Sequence, residues 1–352
     1  MTNSKIGFDC RYIRPNSQDG ISRFSIGLFT SLSKMLKLTA IINDPRQLES
    51  LPEGTEYITI HAPTSPLEPF ASMRLNKHNF SVVFSPMQTI AIGSLRKRHR
   101  LILTIHDLIF YSHPAPPAYF NFFIRLLWRV YHASFLPQKL LLRRADEVVT
   151  VSETSKRLII ENKLTSKAVT VVPNATNGLA YENLPVEKKI VYMGSFMPYK
   201  NVEDLIRATA ELEGYHLLLL SKITDRKRDE LSSLAKKLSV TVEFADGVSD
   251  DEYAQHLSTA TALVHASSDE GFGIPIIEAM SVGCPVVCSD IPIFREIAGS
   301  AGLFFEIGNH KQFAEQVKKA HQERAIMRES LINQARKFDW EQSAKRLAEL
   351  LV

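Results

Sequence analysis

Short apolar runs alternate with segments of helical period along this chain, and the alternation restricts the fold more than any other feature of the sequence. A strand, a helix and a further strand in succession are typical of a parallel sheet covered by helices. The pattern is most regular in the second half. It predicts strands there at 189–194, 216–221, 240–244, 262–266 and 285–289. It predicts helices at 202–212, 225–238, 250–259 and 274–282. The fold class is therefore α/β.

The first half shows the same alternation in a less regular form. Its predicted elements are a strand at 6–10, a helix at 22–36, and strands at 82–84, 101–105 and 147–151. A chain of 352 residues favours two domains, because a single core rarely grows beyond about 250–300 residues. The predicted organisation is an N-terminal domain at 1–172, a linker at 173–187, a second domain at 188–338 and a closing helix at 339–352.

Composition and charge indicate the cellular compartment of the protein more clearly than its function. A net charge of +4 is too modest to indicate nucleic-acid binding by itself. The three cysteines, Cys10, Cys284 and Cys288, are widely spaced and odd in number, which argues against disulfides or zinc and favours a reducing cytoplasm. The N-terminus lacks the apolar core of a signal peptide, and no uncharged apolar run reaches the roughly 18–20 residues of a membrane span. We therefore expect a cytoplasmic protein, soluble or bound peripherally to a membrane.

A glycine-rich turn follows the predicted strand at 262–266 and leads into the next helix. Gly271 and Gly273 allow the backbone to approach a ligand closely, and Pro275 suits the first helical turn. A helix N-terminus of this kind binds anions such as phosphate. Glu270 and Glu278 would repel the anion unless they bind hydroxyl groups, so the turn indicates a ligand with both phosphate and polyol. The alternative is that both acids only favour the positive end of a helix.

The same turn resembles the signature of glycosyltransferase family 4, in the segment EGFGIPIIEAMSVGCPVV, where two glutamates stand eight positions apart. Other segments resemble the family in the same order along the chain: IGFDCRYIRPNSQDGISRF, TIHDLIFYSHP, ADEVVTVSETSKR, VVPNATN, YMGSFMPYKNVEDLIRA, ADGVSDDEY and FDW. The family's enzymes are retaining and have the GT-B fold, two Rossmann-like domains with parallel sheets facing a central cleft. Within the family, the similarity is strongest to bacterial mannosyltransferases. The resemblance also implies that the helix at 339–352 packs back onto the N-terminal domain.

The resemblance implies transfer of a sugar from a nucleotide diphosphate donor to an acceptor hydroxyl. Glu270 would bind hydroxyls of the donor sugar, and Glu278 would bind the ribose. Lys200 would neutralise the diphosphate, His106 would reach the donor sugar, and Asp107 would orient the loop. Glu270, His106 and Lys200 are thus the predicted catalytic residues. The remaining predicted donor-binding residues are Gly20, Ile21, Arg23, Gly194, Ser195, Val248, Phe272, Gly273 and Ile274.

The predicted phosphate loop departs from the family pattern at two positions. Many relatives have an arginine directly after the glycine or directly before the lysine, where this chain has Ser195 and Tyr199. The second phosphate-binding cation is therefore missing from this loop. Arg23, on the glycine loop of the N-terminal domain, is the predicted replacement.

No Asp-x-Asp triplet occurs in the chain. Glycosyltransferases of the other main architecture use that pair of acids to hold a metal ion. We therefore expect no metal site and no cofactor, with Lys200 and a helix N-terminus in the place of the cation. GDP-mannose is the first expectation for the donor, although base and sugar depend on loops around Lys222 and Val248. The expected acceptor is a glycan or a lipid-linked molecule in polysaccharide or glycolipid biosynthesis.

A segment rich in aromatic and basic residues suggests a membrane surface. Residues 119–135 contain seven aromatic side chains together with Arg125 and Arg129, and residues 96–100 form a basic run. Basic and aromatic residues on one helix suit an anionic membrane surface, here the inner face of the cell membrane. The alternative is that the aromatic side chains form the buried face of a helix and the charges a solvated edge.

Other functions remain open at this point. A GT-B nucleotide-sugar epimerase or a phosphorylase would keep the fold, and a non-catalytic module could bind membrane or nucleic acid through residues 96–100. A dinucleotide-dependent oxidoreductase would need G-x-G-x-x-G after the first strand, where this chain has Asp9, Cys10, Arg11 and Tyr12. Transfer of a sugar from a nucleotide-sugar donor agrees with the largest number of the segments quoted above.

Overall fold

The computed structural model describes residues 5–15, 19–94, 97–116, 122–179 and 184–352, apart from the side chain of Phe123. Two compact units divide the chain: residues Met1–Ala175 with Asp339–Val352 form the first, and Thr176–Phe338 form the second. Each unit is built on its own parallel sheet covered by helices. In the described part of the chain, no helix is both long enough and apolar enough to span a membrane.

The sheet of the first unit contains seven strands within the described residues, in the order β3-β2-β1-β4-β5-β6-β7, and every neighbouring pair is parallel. The strands are β1 (Ile6–Asp9), β2 (Leu38–Ile42), β3 (Glu56–Thr59), β4 (Val82–Ser85), β5 (Arg100–Ile105), β6 (Glu147–Thr150) and β7 (Val169–Val171). The central strands are buried along their whole length, because helices cover both faces of a parallel sheet.

The helices of the first unit follow its strands in the α/β order. They are α1 (Gly20–Leu32), α2 (Ala71–Leu75), α3 (Ile109–Ser112), α4 (Phe122–His132), α5 (Leu136–Leu142) and α6 (Glu153–Glu161). Helix α1 begins earlier than the predicted residue 22, because the Asp19 carboxylate accepts a hydrogen bond of 2.9 Å from the Ser22 amide and caps it. It also ends earlier than predicted, at Leu32.

The second unit has six strands within the described residues, in the order β10-β9-β8-β11-β12-β13, again all parallel. They are β8 (Lys189–Tyr192), β9 (His216–Leu219), β10 (Thr241–Phe244), β11 (Ala262–His265), β12 (Val286–Ser289) and β13 (Leu303–Phe305). The helices are α7 (Val202–Thr209), α8 (Asp225–Leu238), α9 (Asp250–Thr259), α10 (Ile274–Ser281), α11 (Pro292–Ala298) and α12 (His310–Ala335). The core consists of apolar side chains from the strands packed against α7 and α12.

The last helix, α13 (Trp340–Leu351), belongs to the first unit and packs on α1. The Trp340 indole lies so close to the α1 backbone that a Cβ on Gly27 would stand 2.3 Å from Trp340 Cε2. Ser343 Oγ donates a hydrogen bond of 2.9 Å to the Pro173 carbonyl. The break between α12 and α13 lies where the sequence predicts it, since the Asp339 side chain caps α13.

Candidate functional site

Two loops at the carboxyl ends of adjacent strands bring most of the predicted donor-binding residues together. Strands β8 and β11 are neighbours in the second sheet, so the loops that follow them begin side by side. The Ser268 amide donates to the Tyr199 carbonyl at 2.8 Å, and Asn201 Nδ2 donates to the Ala266 carbonyl at 3.0 Å. These two hydrogen bonds hold the loops against each other. Ligands of open α/β sheets bind at such strand ends.

The Lys200 ammonium and the Glu270 carboxylate meet between these loops in an ion pair. Lys200 stands in a single 3-10 turn, Pro198–Lys200, and is buried, while the Glu270 side chain is 15% exposed. Lys200 also lies 5.3 Å from the ring centroid of Tyr199. Tyr199, one of the two positions where the family resemblance leads us to expect an arginine, therefore places an aromatic ring beside the lysine. In this structure the charge of Lys200 is balanced by the residue predicted to bind the donor sugar.

Helix α10 begins directly after the glycine-rich turn with backbone N–H groups that no described side chain caps. The first four N–H groups of a helix have no partner inside it, and they attract anions. Gly273 has φ of 97°, and a Cβ there would lie 3.3 Å from the Phe294 ring, so only glycine fits this turn without strain. Phe272, Gly273 and Ile274 thus occupy the positions from which their amides could reach a diphosphate.

Glu278 lies in the second turn of α10 and is only 4% exposed. A carboxylate is rarely buried unless it has a polar partner. Glu270 is also largely buried. The alternative that both acids only favour the positive end of a helix does not by itself account for their burial.

An aromatic layer lies beneath the two loops, formed by Tyr192, His265 and Phe294. The His265 ring centroid is 5.0 Å from that of Tyr192 and 5.9 Å from that of Phe294. Neither ring nitrogen of His265 has a hydrogen-bond partner among the described residues. Burial, reinforced by the charge of Lys200, lowers the pKa of His265 to about 3, so the ring is neutral. The sequence interpretation missed His265, although it is the one polar residue in the apolar strand ALVH.

Gly194 and Ser195 form the start of the loop after β8. The Gly194 amide donates to Ser221 Oγ at 2.9 Å, and the Tyr192 hydroxyl donates to the Ser195 carbonyl at 2.6 Å. A Cβ on Gly194 would approach the Tyr192 hydroxyl to 2.8 Å, so the loop depends on a glycine here. Ser221 anchors this loop from the end of β9, and the sequence interpretation did not single it out.

Val248 is partly buried in the loop after β10, next to Gly247. The Gly247 amide donates to the Leu220 carbonyl at 2.9 Å, and its Cα faces the side chain of Lys222. The loops around Lys222 and Val248, predicted to select base and sugar, therefore contact each other.

The remaining predicted residues lie in the first unit. Gly20 and Ile21 are the first two residues of α1, and Arg23 follows them in the same turn. Residues 16–18 of the predicted glycine loop lie outside the described residues.

His106 follows β5 and packs edge-on against Phe24, with ring centroids 4.9 Å apart. Its Nε2 lies 2.9 Å from the Pro86 carbonyl, which can only accept, so Nε2 donates and Nδ1 keeps a lone pair. Burial lowers the pKa of His106 to about 4. The Asp107 carboxylate accepts from the Ile109 amide at 3.0 Å, which suits a residue that orients the loop.

Comparisons with known proteins match both units. Residues 182–338 match the family described as Glycosyl transferases group 1, and residues 58–177 match Glycosyltransferase Family 4. The O-antigen chain mannosyltransferase RfbU of Salmonella typhimurium is 30% identical over 224 residues, 62% of this chain and 60% of its own length. The O-antigen chain mannosyltransferase B of Escherichia coli is 27% identical over 263 residues, 69% of this chain and 67% of its own length. The match to RfbU thus spans less than two thirds of that relative.

Solved structures agree on the fold. A sucrose-phosphate synthase from Thermosynechococcus elongatus superposes with a TM-score of 0.75 at 20% identity, covering 99% of this chain and 98% of that one. Anabaena HepE in complex with UDP and glucose gives a TM-score of 0.76 at 20% identity, covering 99% of both chains. The two parallel sheets are the Rossmann-like domains of the GT-B fold. Residues 182–338 and 58–177 are thus similar to these two glycosyltransferase families, and the chain has the GT-B fold.

Proposed function

We propose that this protein is a retaining hexosyltransferase that uses a nucleotide diphosphate sugar as donor, with GDP-mannose as the first candidate. The observation on which the proposal rests is the buried Lys200–Glu270 pair next to the uncapped start of α10. A cation, a carboxylate and a row of backbone amides lie together at the carboxyl ends of two neighbouring strands. A ligand with both phosphate and hydroxyl groups requires such a set of partners. The choice of mannose follows the names of the relatives RfbU and mannosyltransferase B.

In the proposed reaction the donor diphosphate takes the place of Glu270 as the partner of Lys200. The carboxylate of Glu270 is then released to accept hydrogen bonds from hydroxyls of the donor sugar, while Glu278 binds the ribose. The bond between the sugar C1 and the diphosphate oxygen breaks, and the acceptor oxygen bonds to C1 on the face that the diphosphate leaves. The acceptor proton passes to the departing diphosphate. Lys200 and the amides of Phe272, Gly273 and Ile274 stabilise the charge that develops there.

His106 contributes from the first unit as a neutral side chain with a defined tautomer. Because Nε2 is held by the Pro86 carbonyl, Nδ1 is the nitrogen available to accept a hydrogen bond from a sugar hydroxyl. The backbone amides of Gly20 and Ile21 and the guanidinium of Arg23 supply the second set of phosphate contacts. No metal ion and no cofactor take part in the proposed reaction.

The proposed acceptor is a glycan or a lipid-linked molecule, and the proposed pathway class is polysaccharide or glycolipid biosynthesis. Both relatives named above are O-antigen chain enzymes, and O-antigen synthesis is of this class. We place the protein in the cytoplasm, associated peripherally with the inner face of the cell membrane.

A donor screen by thermal shift tests the proposal. One nucleotide diphosphate sugar should raise the Tm more than the others, GDP-mannose being expected, and EDTA should leave that shift unchanged. The Lys200→Met variant should lose the shift, because it lacks the cation that binds the donor diphosphate in place of Glu270. If no donor stabilises the wild-type protein, the assignment of the second unit as a donor site is wrong. A shift that EDTA abolishes would contradict the metal-free mechanism.

A further inference from the structure

Helices α4 and α5 of the first unit expose an unusual amount of apolar surface. Phe122 is 74% exposed, Leu127 68% and Val130 64%. The exposed apolar residues of the two helices are Phe122, Ile124, Leu126, Leu127, Val130, Leu136 and Leu140, which we call the α4–α5 face. Single exposed apolar residues are common, whereas seven on two consecutive helices mark an interaction surface.

The aromatic side chains of α4 pack inward and fix the helix to its unit. Trp128 and Phe110 stack edge-on with ring centroids 4.7 Å apart, and the Tyr131 hydroxyl donates to Gln138 Oε1 at 2.7 Å. Tyr111 packs against Phe135 at 4.2 Å. Most described aromatic residues of the predicted membrane segment therefore pack against the first unit and do not form its outer surface. This packing agrees with the alternative that the aromatic side chains form the buried face of a helix. Tyr119, Phe120 and the Phe123 side chain lie outside the described residues. The outer surface is aliphatic, with Phe122 at one end.

The chain segment that forms this apolar surface carries positive charge and no negative charge. The sequence contains no Asp or Glu from 108 to 145, but it contains Arg125, Arg129, Lys139, Arg143 and Arg144. Arg125 and Arg129 are both exposed on α4, one helical turn apart. Together with Phe122 and Leu126 they line a depression of about 330 Å³. Apolar and cationic side chains thus alternate within the same patch.

Most described residues of the basic run at 96–100 have partners within the fold or are buried. Lys97 pairs with Asp146, and Arg100 pairs with Glu147. His99 is buried, and burial lowers its pKa to about 4. Arg96 lies outside the described residues. Arg98 is exposed and lies outside these two ion pairs, while the larger group of basic residues lies at 125–144, on α4, on α5 and directly after it.

We propose that the α4–α5 face docks on a bilayer surface rich in anionic lipid. The aliphatic side chains would enter the boundary between headgroups and acyl chains, and the arginines would lie at the level of the lipid phosphates. A second copy of the chain fits less well, because a two-fold interface would set Arg125 and Arg129 against their own equivalents. A nucleic acid would use the charge but leave the leucines exposed to water. The inference specifies the membrane association that the proposed function includes and rests on it for the choice of the inner face.

Vesicle co-sedimentation of the full chain tests the docking surface. The wild-type protein should pellet with vesicles of equal parts phosphatidylcholine and phosphatidylglycerol, and should stay in solution with phosphatidylcholine alone. Arg125→Gln with Arg129→Gln should weaken binding by about 30-fold, since each basic residue near an anionic surface contributes about 1 kcal/mol. Leu127→Ser with Val130→Ser should weaken it by at least about tenfold, because apolar area that enters the membrane is lost.

Two control variants carry matched changes elsewhere. Ile326→Ser removes an apolar residue that is 81% exposed on α12, and Lys236→Gln with Lys237→Gln removes two exposed cations from α8. Both should bind vesicles like the wild type. The inference is wrong if the wild type ignores anionic vesicles, or if the control variants lose as much binding as the α4 variants. It is also wrong if light scattering shows a dimer that Leu127→Ser with Val130→Ser dissociates, or if polyglutamate binds as tightly as vesicles.

A donor thermal shift on the same proteins separates this inference from the proposed function. The α4 variants should keep the wild-type shift, which also shows that they fold. Vesicle binding without any donor shift would support the docking surface and contradict the proposed donor site. A donor shift without vesicle binding would do the reverse.

Discussion

Each unit places a charged cluster at the carboxyl edge of its sheet, and the two clusters differ in how completely their hydrogen bonds are used. After β1, all five N–H donors of the buried Arg11 guanidinium are engaged: four bond to the carboxylates of Asp9 and Glu68, and the fifth to the His61 carbonyl. Ser85 and Thr89 donate to the same carboxylates. The Arg11 guanidinium therefore has no donor left for a ligand.

In the cluster after β8 and β11, fewer of the hydrogen-bond donors and acceptors have partners. The bond to Glu270 uses one of the three ammonium hydrogens of Lys200, and His265 beneath it has two ring nitrogens without partners among the described residues. Both clusters stand where α/β folds bind ligands, so position alone does not identify a site. The count of unused donors and acceptors separates the two clusters: it indicates a structural role for Arg11 and supports the proposed binding role of Lys200.

The largest effect should come from removing the buried cation of the complete cluster. Arg11→Met leaves Asp9 and Glu68 as unpaired buried carboxylates, so the free energy of unfolding of the first unit should fall by about 3–5 kcal/mol. Hydrogen exchange of β1 and β4 in the intact chain measures it. Arg157→Met is the control, because its pair with Glu161 on α6 of the same unit is exposed and should contribute less than about 1 kcal/mol. Equal effects of the two substitutions would remove the distinction between the clusters.

Removing the cation of the incomplete cluster should affect catalysis more than folding. Lys200→Met should lower kcat by about 10²–10³-fold, the range for losing one group that stabilises transition-state charge. Lys189→Met provides the control, because Lys189 is a buried lysine at the opposite end of β8, paired with Glu187 and hydrogen-bonded to Thr259. That variant should lose stability and keep kcat. A comparable loss of kcat in both would show that burial, and not the site, determines the effect.

His265 should make the protein sensitive to acid. Its pKa is about 3 in the folded chain and about 6.5 when unfolded, so only the unfolded state gains a proton as the pH falls between these values. The neutral His265 therefore causes no loss of stability above about pH 6.5. Between about pH 6.5 and pH 3 the free energy of unfolding falls by about 1.4 kcal/mol for each pH unit of acidification. His265→Leu should therefore become more stable than the wild type as the pH falls, in denaturant titrations at successive pH values. A variant that is several kcal/mol less stable at pH 7.5 would mean that His265 has partners, as Arg11 has.

The smallest effect is expected at Ser221, which anchors the Gly194 amide. Ser221→Ala removes one neutral hydrogen bond of about 1 kcal/mol, so the KM for the donor should rise about fivefold at nearly unchanged kcat. Ser232→Ala, at an exposed position on α8, should change neither constant. An unchanged KM for Ser221→Ala would show that the loop after β8 is held by its other contacts.

The regular strand and helix pattern predicted most of the second sheet, because its strands are short apolar runs between helices with clear caps. Strands β2, β3, β7 and β13 and helices α2, α3, α5 and α11 were not predicted. Strand β3 lies at the sheet edge and is mostly exposed, so it has no apolar run to recognise. Strand β2 is apolar but short, and periodicity alone does not distinguish such a run from part of a helix.

The predicted residues of the donor site include the two that form its ion pair, but the sequence could not show that they meet. Lys200 and Glu270 stand 70 residues apart and come together because β8 and β11 are neighbours in the sheet. That strand order is a property of the assembled sheet. The roles of Glu278, His106 and Arg23 stay predictions, and so does the organisation into 1–172, 173–187 and 188–338.

The packing of α13 on α1 imposes an order on synthesis. The ribosome releases α1 early, but Trp340, which covers Gly27 and Phe24, emerges only after the whole second unit. Domains generally begin to fold as they emerge, starting from the N-terminus. The first unit must therefore wait with an uncovered apolar groove on α1 until more than 300 further residues are made, and in that interval it is a natural client for chaperones.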